Sequence, residues 1–224
     1  MIKFFKSSIG RKYVMAVTGI FLFGFVVAHL VGNLQIFLGR DALNSYARHL
    51  EEMPALLWSA RAFLLAALLI HIFTAMGLAV ENRRARPVRY AGESVIQASY
   101  ASRTMVMSGI IVFLFIVYHL LHFTYGKIQP EFFERLDSKG REDVYGMVVH
   151  GFGNRYVCAS YILAMGALCF HLSHGLESLF QSLGIRSERG ASFYKKFALV
   201  TSVLIFIGNC SIPFCACIGY LKAW

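Results

Sequence analysis

Of the 224 residues, 57% are hydrophobic and 15% charged, and the mean hydropathy is +0.58. That balance excludes an ordinary soluble domain and assigns the chain to the membrane proteins. The formal net charge of +10 does not point to nucleic acid, because the basic residues collect in particular loops and no soluble basic face exists to line a groove.

In chain order, Lys3, Lys6, Arg11 and Lys12 precede a first apolar run, Val14 to Leu38. The run is longer than the apolar core of a secretory signal and has no small-residue cleavage site suitably placed, so the first helix, 12–38, is expected to stay in the protein. Windows near the roughly 20 residues needed to span a bilayer predict further helices at 56–81, 101–125, 154–184 and 195–220. Short polar segments separate them, two containing the punctuating Pro54 and Pro87. Arg83, Arg84, Arg86 and Arg89 follow the second helix, and Arg186, Arg189, Lys195 and Lys196 follow the fourth; with the basic N-terminus they mark the cytoplasmic side. The loop with Arg40, Asp41, Arg48, Glu51 and Glu52, and the one from Lys127 to Asp143, mix both signs and are expected to face outward. One all-α membrane domain over residues 1–224 follows, with five crossings, a cytoplasmic N-terminus and Trp224 outside. Cys158, Cys169, Cys210, Cys215 and Cys217 form no CxxC pair and read as packing residues.

A histidine inside a spanning segment must face the protein interior and find a partner, which makes each one a functional candidate. Helix 1 carries His29, helix 2 His71, helix 3 His119 and His122, and helix 4 His171 and His174. Helices 1 and 3 run outward and place His29 and His119 roughly 26 Å from the cytoplasmic surface at 1.5 Å per residue. Helices 2 and 4 run inward and place His71 and His171 roughly 22 to 26 Å from their outer ends, at an inner level. Two pairs at two depths is what bis-imidazole ligation of two haems across a four-helix bundle requires, with the fifth helix peripheral. A weak internal repeat supports it: Thr18-Gly19 and Ser108-Gly109 each precede a histidine ten residues after the glycine. Ala75 and Gly175, one turn beyond His71 and His171, offer clearance for a flat macrocycle. His174, three residues from His171, is the alternative fourth ligand. His122 reads as an interfacial residue or a partner for a haem propionate, and His49 and His150 belong in or beside the outer loops.

These segments, TGIFLFGFVVAH ending at His29, LLIHIFTA around His71, SGIIVFLFIVYH ending at His119 and FHLSHGLESLFQSLG in helix 4, resemble the dihaem cytochrome b subunit of succinate:quinone oxidoreductases. The type is the five-helix, single-chain anchor of menaquinone-linked fumarate reductases and succinate dehydrogenases. The resemblance implies two haem b groups, the distal iron held by His29 and His119 and the proximal one by His71 and His171. It implies electron transfer between menaquinol or menaquinone and an iron–sulfur subunit, with covalent FAD on a flavoprotein partner, in the inner membrane of a bacterium. A dimer of such heterotrimers is compatible with this set. Counted from His29, the resemblance places the loop glutamate that accepts the quinol proton at Glu51, with the neighbouring Glu52 as the alternative. Cys169 departs from the pattern, since members that route protons across the membrane have a glutamate two residues before the helix 4 ligand.

Arg61, Arg103 and Arg155, near helix ends, are candidates for haem propionate contacts or for snorkelling to lipid head groups. The membrane cytochrome of a hydrogenase or formate dehydrogenase generally has four helices and other ligand spacings. A proton-coupled transporter is disfavoured because the acidic residues within the spans, Glu81 and Glu177, lie at or near helix ends.

Overall fold

A computed structural model describes residues 7–85, 104–187 and 189–222. Ser7 caps the first helix, α1 (Ser8–Asn33), by accepting from the Gly10 N–H at 3.0 Å, so the helix starts earlier than its apolar run. A 3-10 turn, Leu34–Leu38, extends it and ends at Gly39, whose φ of 104° favours a residue without Cβ. Next come α2 (Arg40–Glu51) and α3 (Pro54–Arg84), which opens on a proline where a missing N–H is harmless. The fourth helix, α4 (Met105–His119), passes into a π-helical turn, Leu120–Thr124. Asp143 and Asn154 cap α5 (Val144–Gly153) and α6 (Arg155–Ser182), and α7 (Ala191–Cys217) closes the chain.

Five of these, α1 with its 3-10 extension, α3, α4 with its π turn, α6 and α7, are long and apolar enough to cross a membrane. The protein is a multi-pass all-α membrane protein, as the hydropathy predicts, and no strand occurs among the described residues. Only 6% of the apolar window of α3 is buried against 33% of that of α6, so α3 turns most of its surface outward and α6 is the central helix. Packing follows the order α3, α1, α6, α4, and α3 meets α4 again to complete a ring of four. Around this ring α1 stands diagonally opposite α4, and α3 opposite α6. The fifth helix, α7, lies outside against α6. Its seam of Ala198, Ser202, Ile205, Ile212 and Ala216 is buried at a helical period, and Gly208 lets Leu30 of α1 approach closely. Close approach through small residues is the usual source of helix association in lipid.

One end of the ring carries a cap that the sequence reading treats as loops. There α2 and α5 pack on one another and on the spans, around Ile36, Leu43, Tyr145, Val149, Phe152, Tyr161 and Ile212. Asn44, fully buried, pins the cap: its amide donates to Asp137 Oδ2 at 3.1 Å and Asp143 Oδ1 at 3.0 Å, and its oxygen accepts from the Tyr145 N–H at 2.9 Å. Arg141 joins Asp137 (2.6 Å) to Asp41 (2.8 Å). At the opposite end Arg11 of α1 and Glu81 of α3 form a two-bonded ion pair, at 2.5 and 2.7 Å.

Candidate functional site

His71 on α3 and His171 on α6 face each other across one diagonal, their ring centres 6.5 Å apart and their planes inclined at 66°. Each ring is held by a hydroxyl from the neighbouring helix. Thr18 Oγ1 of α1 lies 3.0 Å from His71 Nδ1, and Ser108 Oγ of α4 lies 3.3 Å from His171 Nδ1. Both hydroxyls already have helical carbonyls within donating distance, Val14 at 2.8 Å and Met15 at 3.1 Å for Thr18, Met105 at 3.0 Å for Ser108. With its proton given to the helix, each oxygen accepts from Nδ1–H and leaves Nε2 as the basic nitrogen. The adjacent glycines complete the contact: a Cβ at Gly19 would lie 3.7 Å from His71 Cε1, and one at Gly109 3.3 Å from His171 Cε1. His174 is half-buried one turn along α6; the ring that meets His71 belongs to His171.

The second pair occupies the other diagonal, nearer the cap. His29 on α1 and His119 on α4 have ring centres 5.8 Å apart at 84°. Phe25 stacks on His29 at 5.3 Å, and Phe115 and Phe123 flank His119, each at 5.8 Å. Tyr161 Oη of α6 lies 3.4 Å from His119 Nδ1 and 3.0 Å from His122 Nδ1. His122, carried by the π turn, is 3% exposed and places Nε2 2.9 Å from Gln129 Oε1. Both its nitrogens are thus engaged within the protein.

An iron bound by two imidazoles at about 2 Å each, the usual first-row metal–imidazole distance, sets the ring centres roughly 6 Å apart, and the two observed separations bracket that value. Among the described residues the His, Cys, Asp and Glu side chains form no group of three that would hold a bare metal ion. Two facing imidazoles suit a macrocycle that brings iron's other ligands itself. Thr18 and Ser108 mark the depth of the first pair, and His29 and His119 each follow eleven residues later on the same helices, so the levels are about 16 Å apart.

The remaining candidates lie near the ends of the bundle. Glu51 ends α2 and is exposed; partial burial first, then the nearby Glu142 carboxylate, hold its carboxyl above the ordinary glutamate range. Glu52 pairs with Arg48 at 3.0 Å. Arg61 is exposed with its guanidinium over Trp58, 5.0 Å from the ring centre, and Arg155 is exposed at the start of α6. Arg103 lies outside the described residues. His49 is exposed on α2, while His150 of α5 stacks on Phe132 at 4.3 Å. Cys169 is half-buried two residues before His171. Thr18, Ser108, Tyr161 and Gln129 are not evident from sequence as ring partners; the Thr-Gly and Ser-Gly repeat is the visible trace of the first two, and Tyr161 and Gln129 leave none.

Residues 79–208 match the model of the family described as the succinate dehydrogenase/fumarate reductase transmembrane subunit. The match covers α4, α6 and most of α7, hence His119 and His171, and leaves His29 and His71 outside. No curated protein and no solved structure matches the chain.

Proposed function

Because the chain belongs to the succinate dehydrogenase/fumarate reductase transmembrane subunit family, we propose that it is the dihaem cytochrome b anchor of a quinone-linked complex of that kind. The observation that carries this reading is the double diagonal: two histidine pairs, each drawn from opposite helices of one four-helix ring, at separations that suit axial ligation. His29 with His119 would hold one haem b, and His71 with His171 the other. When bound, each haem supplies a reversible one-electron carrier between quinone and an iron–sulfur subunit. With two imidazoles offered at each level, a haem held there would keep no open position for oxygen. Thr18 and Ser108 orient the inner pair of rings and strengthen their donation. The spacing of about 16 Å puts the two levels in series along the bundle.

In this reading the capped end faces outward and receives menaquinol. Glu51 accepts the quinol proton there, a role that its raised pKa suits. Arg61, Arg103 and Arg155 are the candidates for propionate contacts. The opposite end, with Arg11 and Glu81, faces the cytoplasm of a bacterium and docks the iron–sulfur subunit, beyond which the flavoprotein interconverts succinate and fumarate. A pyridine haemochrome assay on the purified protein tests the proposal: two haem b per chain are expected, together with a copurifying flavoprotein that reduces fumarate. A haem content near zero overturns it.

A further inference from the structure

The Tyr161 hydroxyl lies between two imidazoles, 3.4 Å from Nδ1 of His119 and 3.0 Å from Nδ1 of His122. A phenol has one proton to give, so it donates to one ring and accepts from the other. The far side of His122 decides which. Its Nε2 meets the amide oxygen of Gln129 at 2.9 Å, and an amide oxygen only accepts. Nε2 of His122 therefore carries the hydrogen, and in the neutral ring Nδ1 is the acceptor. Tyr161 O–H points to that nitrogen, and its oxygen accepts Nδ1–H from His119. The two ring N–H groups and the phenol O–H each find an acceptor, and His119 is fixed in the tautomer whose Nε2 is basic.

The surroundings are shaped around this chain. Tyr161 is 5% and His122 3% exposed. Phe123 stacks on the His122 ring at 3.9 Å, and a Cβ on Gly151 of α5 would come within 3.1 Å of His122 Nε2, so the glycine lets the cap close tightly over it. Gln129 has φ 55° and ψ 55° immediately before Pro130, a left-handed conformation unfavourable for a residue with a side chain. The arrangement is also one-sided. Tyr161 precedes His171 by ten residues on α6, and the position ten residues before His71 on α3 is Arg61, which is exposed over Trp58.

We propose that Tyr161, His122 and Gln129 form a positioning chain for His119 that sets the tautomer and basicity of this one ligand, and so tunes the His29/His119 level without touching the other. It rests on the reading of those histidines as haem ligands. Donation from Nδ1 makes an imidazole a stronger donor to iron and favours the oxidised state. Hydrogen bonds in series polarise one another, so a stronger acceptor at the Gln129 end is felt at His119.

The test is a redox titration of the intact membrane complex, with low-spin haem spectra resolving the two levels. Gln129→Glu is expected to lower the potential of the His29/His119 level, and Tyr161→Phe to raise it, with the other level unmoved in both. The Gln129→Glu shift is expected to shrink when combined with Tyr161→Phe or with His122→Leu, which interrupts the chain one link further out and leaves His119 intact. Equal Gln129→Glu shifts in all three backgrounds, or a Tyr161→Phe protein with both levels moved alike or neither moved, overturn the proposal. A wild-type complex without two haems fails the ligand reading itself, and does so before any variant is made.

Discussion

Thr18 on the first spanning helix holds His71 on the next through Oγ1 and Nδ1, 3.0 Å apart. Ser108 repeats the relation to His171 at 3.3 Å. The half of each helix pair that carries no ring of the inner pair thereby carries the hydroxyl that holds one.

Thr18→Val keeps the shape of the side chain and removes the acceptor. Loss of such a supporting hydrogen bond typically weakens metal binding about 10- to 100-fold. Haem occupancy or potential of the His71/His171 level should change while the His29/His119 level stays as it was, as read by redox titration.

The two glycines beside the rings should differ in tolerance. At Gly19 a Cβ meets His71 at an ordinary 3.7 Å, so Gly19→Ala is expected to retain both haems. At Gly109 the 3.3 Å approach to His171 leaves no room for a branched side chain. Gly109→Val should lose the inner haem, and a haemochrome assay on the two purified variants distinguishes them.

His171 and His174 are separated by single replacement. His171→Ala is expected to lose one haem and His174→Ala to keep two, because the ring facing His71 is that of His171. The reverse result would reassign the fourth ligand.

Glu51 offers a pH test. Its carboxyl is raised by partial burial and then by the like charge of Glu142. Glu142→Gln removes that repulsion and lowers the Glu51 pKa. A proton acceptor must be ionised to act, so the acidic limb of the pH–rate profile for quinol oxidation should move to lower pH. Glu51→Gln should abolish that limb and slow turnover about 10²- to 10⁴-fold.

The cap depends on Asp137, whose side chain is 2% exposed. Burial alone would raise its pKa. Hydrogen bonds from the Arg141 side chain and main chain, Asn44 and the Lys139 N–H outweigh that, and hold it far below the usual range. A depressed folded-state pKa gives stability that is present above the unfolded value, near 3.9, and is lost as pH falls through the folded one. Asp137→Ala should destabilise the cap by about 1 to 3 kcal/mol, since Arg141 is left with Asp41 alone among its carboxylate partners and Asn44 with Asp143, and thermal unfolding in detergent at neutral pH measures it.

The five spans were legible because a bilayer demands long apolar runs, and the two histidine levels because rise per residue converts sequence position into depth. Helix ends were set by features that hydropathy does not see, such as the Ser7 cap and Pro54. The helices α2 and α5 were hidden for a related reason: they are short and lie among charged residues, and Asn44, buried through three hydrogen bonds, looks like a loop asparagine. Sequence position also leaves unspecified how each helix is rotated. It is rotation that brings Tyr161, one aromatic among many in the chain, onto His119, and Thr18 onto His71.

The diagonal pairing bears on how the protein is made. A chain emerging N-terminus first has both His29 and His119 in the membrane once α4 is inserted, but it has no partner for His71 until α6 follows. Tyr161 arrives on that same helix. One helix therefore completes the inner histidine pair and brings Tyr161 to the outer one, so both arrangements become whole in a single late step of synthesis.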